Sequence, residues 1–568
     1  MHCASILHRP MSEYAFPLDE RHLVFRLRTA REDLAEVTFF YGDRADMAAE
    51  LTFVSLEMPR VRRDKLYDWY ELTLETEWPR IAYGFLLDDG TETCSYCGGA
   101  FERADARIER SSYFQYPYNH KADLFRVPSW ARDAVVYNIF PDSFADGHRQ
   151  LCGPGRTKAW KGDSCEAHLG GTIEGIRKNL DAIAQLGCNC LYLNPLFAAG
   201  AYHKYDLLDY EHVDPCFGTD AEFAALVSQA HSLGIRVIID GVFNHMSWHH
   251  PAFRDVLARG KESPYYGWFY DLPDPLTLPE EGETPGYACF AYVPQMPKTD
   301  TSNESLRQYF CRVGVHWIRE YHVDGWRLDV ANELDDGFLR AFRSAVKREN
   351  PDALIIGEVW ENAEHYMHGD MLDSAMNYDF RRFCIQFFAE GRMDAEEFDL
   401  RISSLLMRYP SQALPSQLNL LDGHDVPRFL SLCGEDPDRM EAALLFQMTF
   451  PGMPCVFYGD ERGMTGVQEA EYRRPMAWEK TSPLEAVYRK LIRLRHDHPA
   501  LRRGAFSTQK AEGRTYDYAL SGEGETIQVV LNLGLKAIEL RPHGKILLQK
   551  GYDEALLQPM GYCVVERE

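Results

Sequence analysis

The sequence predicts a multidomain chain in which a parallel α/β domain is flanked by two β domains, and three observations carry this. The 568 residues are too many for one core at a prior of about 150 residues per domain. Between about residues 130 and 460, seven short apolar runs lack the alternation of a half-buried strand and are each followed by a helical pattern, as strands buried on both faces of a parallel sheet would be. On either side, the pattern reverts to alternation punctuated by turn residues. The chain thus divides into 1–125, 126–505 and 506–568.

In the first region Leu23, Phe25 and Leu27 fall on one side of "HLVFRLRT", with "YGD" and "DDG" as turns. The central region contributes "AVVYNIF", "NCLYLNPLF", "IRVIIDGVF", "VDGWRLDV", "ALIIGEVW", "QLNLLDGHD" and "PCVFYGDE" as strands. Between them, "GTDAEFAALVSQAHSLG" has a capping-box spacing from Thr219 to Glu222, apolar Phe223, Leu226 and Ala230 at helical spacing, and Gly234 where a left-handed cap belongs. Asp329, Glu358 and Asp425 are separated by about one and two βα units of roughly 30 residues. Asp240 and Asp329 are much further apart, so 246–302, rich in aromatic residues and proline, reads as an insertion on the loop after the third strand. After about residue 505, "TIQVVLNLG" and "YCVVERE" return to strand patterning.

Composition excludes several roles. The 61 basic and 86 acidic residues give a net charge of −25, which repels phosphate backbones and anionic lipid surfaces. "MHCASILHRPMSEY" lacks the basic start and apolar run of a secretory signal. An intracellular, cytoplasmic protein with reduced thiols is therefore expected, since 14 cysteines in so long a chain do not make a disulfide framework. Cys94 and Cys97 have a zinc-ligand spacing without the second pair that a zinc site requires, so no metal is expected there.

Four runs end in polar residues: Asp240, Asn244 and His245; Arg327 and Asp329; Glu358; His424 and Asp425. A single aspartate at a strand end is as readily a helix cap, but in a (β/α)8 barrel all the C-terminal strand ends converge on one face. Two carboxyl groups flanking a glycosidic bond hydrolyse it when one protonates the leaving oxygen and the other supports the developing oxocarbenium ion. Beside Arg327 a carboxylate should stay ionised, whereas Glu358 among Ile355, Ile356, Val359 and Trp360 should be raised by drier surroundings.

"DGVFNH", "GWRLDVANE", "GEVW" and "LDGHD" resemble, in order and spacing, the four sequence regions of the α-amylase family, glycoside hydrolase family 13. "YNIFPDSFADG", "HKYDLLDYEHVDPCFGT", "MPKTD" and "YGDERGM…YRRPMAW" extend the resemblance over nearly the whole chain, toward the neopullulanase, cyclomaltodextrinase and maltogenic amylase branch. The resemblance implies a central (β/α)8 TIM barrel with the insertion after strand 3, an N-terminal β-sandwich similar to a starch-binding module, and a small C-terminal β domain. It implies a retaining mechanism, with Asp329 as nucleophile, Glu358 as general acid/base and Asp425 gripping the distorted sugar. Arg327 would position Asp329, His245 and His424 would bind hydroxyls, and Tyr205 would stack on the sugar. Trp360 and Asp209 are counted with the substrate-binding residues, Asn332 and Glu333 with the acceptor side, and Asp240 and Asn244 with the supports.

The implied activity is hydrolysis of α-1,4 or also α-1,6 bonds in maltooligosaccharides, cyclodextrins or pullulan, with transglycosylation, by a homodimer joined through the N-terminal domain. An exo-acting α-glucosidase or oligo-1,6-glucosidase is the alternative. A catalytically silent carbohydrate-binding or transporter-associated homologue is disfavoured by the retained Asp329, Glu358 and Asp425. No cofactor is required. Calcium at the "FADGH" loop is disfavoured because His148 stands where relatives place a carboxylate, and a hard cation wants oxygen. Thr299 and Asp300, and Asp422, Gly423 and Val426, depart from the branch pattern and are expected to alter substrate contacts.

Overall fold

The structure, a computed structural model, describes residues 1–48, 50–146, 169–280 and 283–567. Two compact units are present. The first comprises Met1–Arg126 with Glu364–Asp370 and Ala395–Leu414; the second comprises Val127–Ala363, Met371–Asp394 and Pro415–Glu568.

In the first unit two antiparallel sheets, one built around His22–Ala30 and Tyr67–Glu75 and the other around Glu36–Asp43 and Ile81–Asp88, share one apolar core. Leu23, Phe25 and Leu27 from one sheet meet Phe39, Tyr83 and Phe85 from the other, which makes the unit a sandwich. Arg26 departs from the alternation expected of its strand, because it is buried on the opposite face. Its Nη1 donates to the carbonyls of Met407 at 3.2 Å and Tyr409 at 2.7 Å, and its Nε to Glu71 at 2.6 Å. A buried guanidinium is tolerated only with such partners.

The second unit contains an eight-stranded parallel sheet: β1 (Val136–Ile139), β2 (Cys190–Leu193), β3 (Arg236–Gly241), β4 (Gly325–Leu328), β5 (Leu354–Gly357), β6 (Ser374–Ala375), β7 (Leu418–Leu420) and β8 (Met453–Phe457). β1 pairs with both β2 and β8, and a parallel bridge between Met376 and Leu418 joins the β6 and β7 edges, so the sheet closes into a barrel. Its interior holds Val136, Cys190, Tyr192, Ile238, Leu354, Ile356, Leu418 and Cys455 in one cluster. β6 is the strand with no apolar run in the sequence; its two residues are held by backbone pairing to β5.

Helix α1 (Asp220–Ser232) follows β2 and begins with the expected capping box, Thr219 and Glu222 bonding reciprocally. Its Phe223, Leu226 and Ala230 are buried, and Gly234 has φ +75°. α2 (Glu304–Glu320) and α3 (Asp336–Glu349) flank β4, and Gly314 of α2 lets the Phe342 ring of α3 pack against its backbone. The insertion between β3 and α2 is short helical turns and loop around Pro251–Arg259. After Gly504 an antiparallel sheet of six strands completes the chain, and Arg514 within it donates to the carbonyls of Met393 and Phe387. Among the described residues no helix is long and apolar enough to cross a membrane.

Candidate active site

The register of β3 against β4 sets Asp240 opposite Arg327. Arg327 is fully buried, and its Nη1 donates to Asp240 Oδ1 at 2.9 Å and to Asp329 Oδ1 at 2.7 Å, while its Nη2 lies 2.9 Å from Glu358 Oε1. Asp240 also accepts from Tyr192 at 2.8 Å and Tyr205 at 3.1 Å. Glu358 accepts from the Val330 amide at Oε2, 2.9 Å, and from Trp360 Nε1 at Oε1, 3.1 Å. Three carboxyl groups from three strand ends therefore share one guanidinium.

These side chains face a cavity of about 440 Å³ lined by Tyr205, His245, Asp329, Asn332, Glu333, Glu358, Trp360 and Asp425. Asp240, Asn244, Arg327 and His424 are buried behind that wall. Tyr205 stacks on His424, with centroids 5.7 Å apart and planes at 7°, and its hydroxyl meets His424 Nε2 at 2.5 Å. Trp360 is half exposed and stacks on Tyr378 at 3.9 Å. Burial, with Lys298 adding to it, pushes His245 down to about 3; its Nε2 has no partner among the described residues. A neutral imidazole with an unused nitrogen on the cavity wall is suited to a hydroxyl ligand.

The electrostatics differ from the sequence expectation at Asp329. Burial first, then the neighbouring Glu358, raise Asp329 well above the usual carboxylate range, and Arg327 opposes them insufficiently. Its cation is divided among Asp240, Asp329 and Glu358, so the cluster cannot ionise completely and keeps a proton. Asp425 behaves oppositely. Burial works to raise it, but His424 at 2.8 Å and Arg473 at 3.1 Å outweigh burial and hold it below the usual range.

Asp209 is a correction: it is not brought to the cavity. Its Oδ1 accepts from the Glu211 amide at 2.8 Å and its Oδ2 meets His212 at 2.8 Å, so it closes its own partly exposed turn. Thr299 and Asp422 are likewise turned away from the cavity. Thr299 donates to the Phe243 carbonyl at 2.5 Å. Asp422 accepts from the Phe429 amide and feels the charge of Asp460, which accepts from Arg428 at 2.8 Å. His148 lies outside the described residues, and among the described residues no group of three or more His, Cys, Asp or Glu converges as a metal site would require.

The cavity includes residues that sequence reasoning passed over: His203, Phe290, Met296, Glu469 and Arg473. Arg473 donates to Asp425 at 3.1 Å, to the His424 carbonyl at 2.6 Å, to Glu469 at 2.6 Å and to Tyr202 at 3.0 Å. Its signal was the arginine pair in "YRRPMAW", on the loop after β8. Phe290 and Met296 come from the insertion, which Lys298 fastens by bonds to Asn244 and, at 2.9 Å, to Glu333.

Residues 138–515 match the family described as "Alpha amylase, catalytic domain", and residues 1–120 match "Alpha amylase, N-terminal ig-like domain". A cyclomaltodextrinase of Geobacillus thermopakistaniensis (strain MAS1) is 38% identical over 94% of this chain and 92% of its own. Neopullulanase 2 of Thermoactinomyces vulgaris is 40% identical over 93% and 90% respectively. The solved structure of a cyclomaltodextrinase superposes with a TM-score of 0.90 at 34% identity, covering 99% of this chain and all of that one.

Proposed function

Because the chain belongs to the alpha-amylase family, we propose that its cavity cleaves α-glucosidic bonds by a retaining mechanism in which Asp329 is the nucleophile and Glu358 the acid/base. That it is a glycoside hydrolase of α-glucans follows from its named relatives. The observation that supports the assignment of roles is the single guanidinium of Arg327 shared by Asp240, Asp329 and Glu358.

The proton retained by this cluster sits on Glu358 when a glucan is bound. It passes to the leaving oxygen as the glycosidic bond breaks, and the Asp329 carboxylate bonds to the anomeric carbon. Water then gives a proton to Glu358 while its oxygen displaces Asp329, which restores both groups. Asp425, kept ionised by His424 and Arg473, accepts hydrogen bonds from the hydroxyls of the reacting sugar. His245 takes a further hydroxyl, His424 holds Asp425 and the Tyr205 hydroxyl from behind the wall, Tyr205 carries the ring, and Asn332, Glu333 and Trp360 receive the acceptor. The substrates are maltooligosaccharides, cyclodextrins and pullulan, as the relatives' names support. The reading carries with it an intracellular location, supported by a 36% identical relative of Bacillus subtilis (strain 168) named intracellular maltogenic amylase, and a homodimer joined through the N-terminal domain.

Product analysis after incubation with β-cyclodextrin, pullulan, soluble starch and isomaltose tests it. Maltose from cyclodextrin faster than from starch, or panose from pullulan, is expected, and Asp329→Asn should lower turnover by at least about 10⁴-fold. Glucose alone from isomaltose would replace the substrate assignment with an exo-glucosidase, and undiminished turnover in Asp329→Asn would remove the nucleophile.

A further inference from the structure

Twelve described non-glycine residues have positive φ, and Val330 is the β-branched one among them, at φ 46° and ψ 47°. A branched Cβ crowds the backbone there, so such a residue is an outlier that its surroundings must enforce. Its neighbours indicate what is enforced. In a regular parallel ladder the bond from the Glu358 amide to the Leu328 carbonyl would be followed by one from the Val330 amide to the Glu358 carbonyl. The first is present at 2.9 Å, but the second comes from Ala331 instead, at 3.0 Å. The register has slipped by one residue, as in a bulge whose first residue is left-handed. The Val330 N–H is released from the ladder and donates to Glu358 Oε2 at 2.9 Å. The same turn begins Ala331–Glu333, which carries Asn332 and Glu333 to the cavity.

We infer that Val330 is a positioning residue for the acid/base: its left-handed backbone frees one amide as a dedicated donor to the Glu358 carboxylate, and this holds the carboxyl in orientation and moderates its basicity. The inference rests on the reading of Glu358 as acid/base. Trp360 Nε1 holds Oε1 at 3.1 Å, so the Val330 amide is what fixes the other oxygen. A donor to a carboxylate favours its ionised form. Removing that donor must move the alkaline limb of the rate profile up.

The test replaces the Val330 amide by an ester, introducing the α-hydroxy analogue of valine by nonsense suppression, and follows β-cyclodextrin hydrolysis against pH. The alkaline limb of kcat/KM should move up by about one pH unit, and kcat should fall by about 10-fold with KM within about 3-fold, the loss expected for one hydrogen bond to a charged group. Val330→Gly keeps the amide and adopts the left-handed backbone without a Cβ clash, so it should leave the alkaline limb in place. An ester protein with the parent limb and kcat overturns the inference, as does a Val330→Gly protein whose alkaline limb moves as far as the ester's. Undiminished turnover in Glu358→Gln would instead sink the acid/base reading itself.

Discussion

Asp422→Asn should stabilise this protein, and increasingly so as pH rises. Asp422 and Asp460 are buried carboxyls whose charges act on each other, with Arg428 on Asp460 Oδ1 at 2.8 Å and the Phe457 amide on its Oδ2 at 3.1 Å. Burial raises Asp422; burial and then Asp422 itself raise Asp460 well above the usual range. The folded state therefore holds a proton that the unfolded chain releases near pH 4. Stability must fall as pH rises from there toward the folded pKa, by about 1.4 kcal/mol per pH unit for each group so raised. An amide at 422 keeps the acceptor for the Phe429 amide, offers an N–H to Asp460 and needs no proton. The gain should be absent below about pH 4 and reach about 1–3 kcal/mol at pH 7. Thermal unfolding of both proteins between pH 4 and 8 measures it, with turnover at the parent optimum retained within about 3-fold. Parallel stability profiles, or a loss at every pH, would show that no buried proton is held there.

Two further outcomes are expected. Arg473→Met removes four hydrogen bonds and leaves Asp425 and Glu469 without their cation, so kcat/KM should fall by at least about 100-fold, roughly 3 kcal/mol; a change below about 5-fold by steady-state kinetics would place Arg473 outside the working site. Gly314→Ala sets a methyl group against the Phe342 ring between α2 and α3 and should cost about 1–3 kcal/mol in urea unfolding, with activity per folded molecule unchanged.

Much of this was legible in the chain, and the exceptions share a cause. Seven barrel strands announce themselves because strands buried on both faces must be apolar throughout; β6 escapes because two residues need only backbone partners. Asp240, Arg327, Glu358 and Asp425 stand at strand ends, where a regular fold dictates what is near. Arg473, His203 and Phe290 stand on long loops, whose paths no local pattern encodes. Arg26 could not be read as buried, since the carbonyls that hold it are more than 380 residues away. Asp209 was placed by motif, yet its turn is satisfied locally. At Asp329 the neighbours in sequence suggested an ionised group, whereas the neighbours in space compete for the one cation.

The bond from Lys298 to Glu333 joins the insertion to the cavity rim at a place where Glu333 is half exposed. The pairs behind it, around Arg327, are sealed from solvent. Mobile ions screen the first and cannot reach the second. Ionic strength is thus a control that separates the two layers: added salt weakens the tie between Glu333 and the insertion that carries Phe290 and Met296 to the cavity lining, and leaves the reacting groups as they were, so its effect should reach KM before kcat.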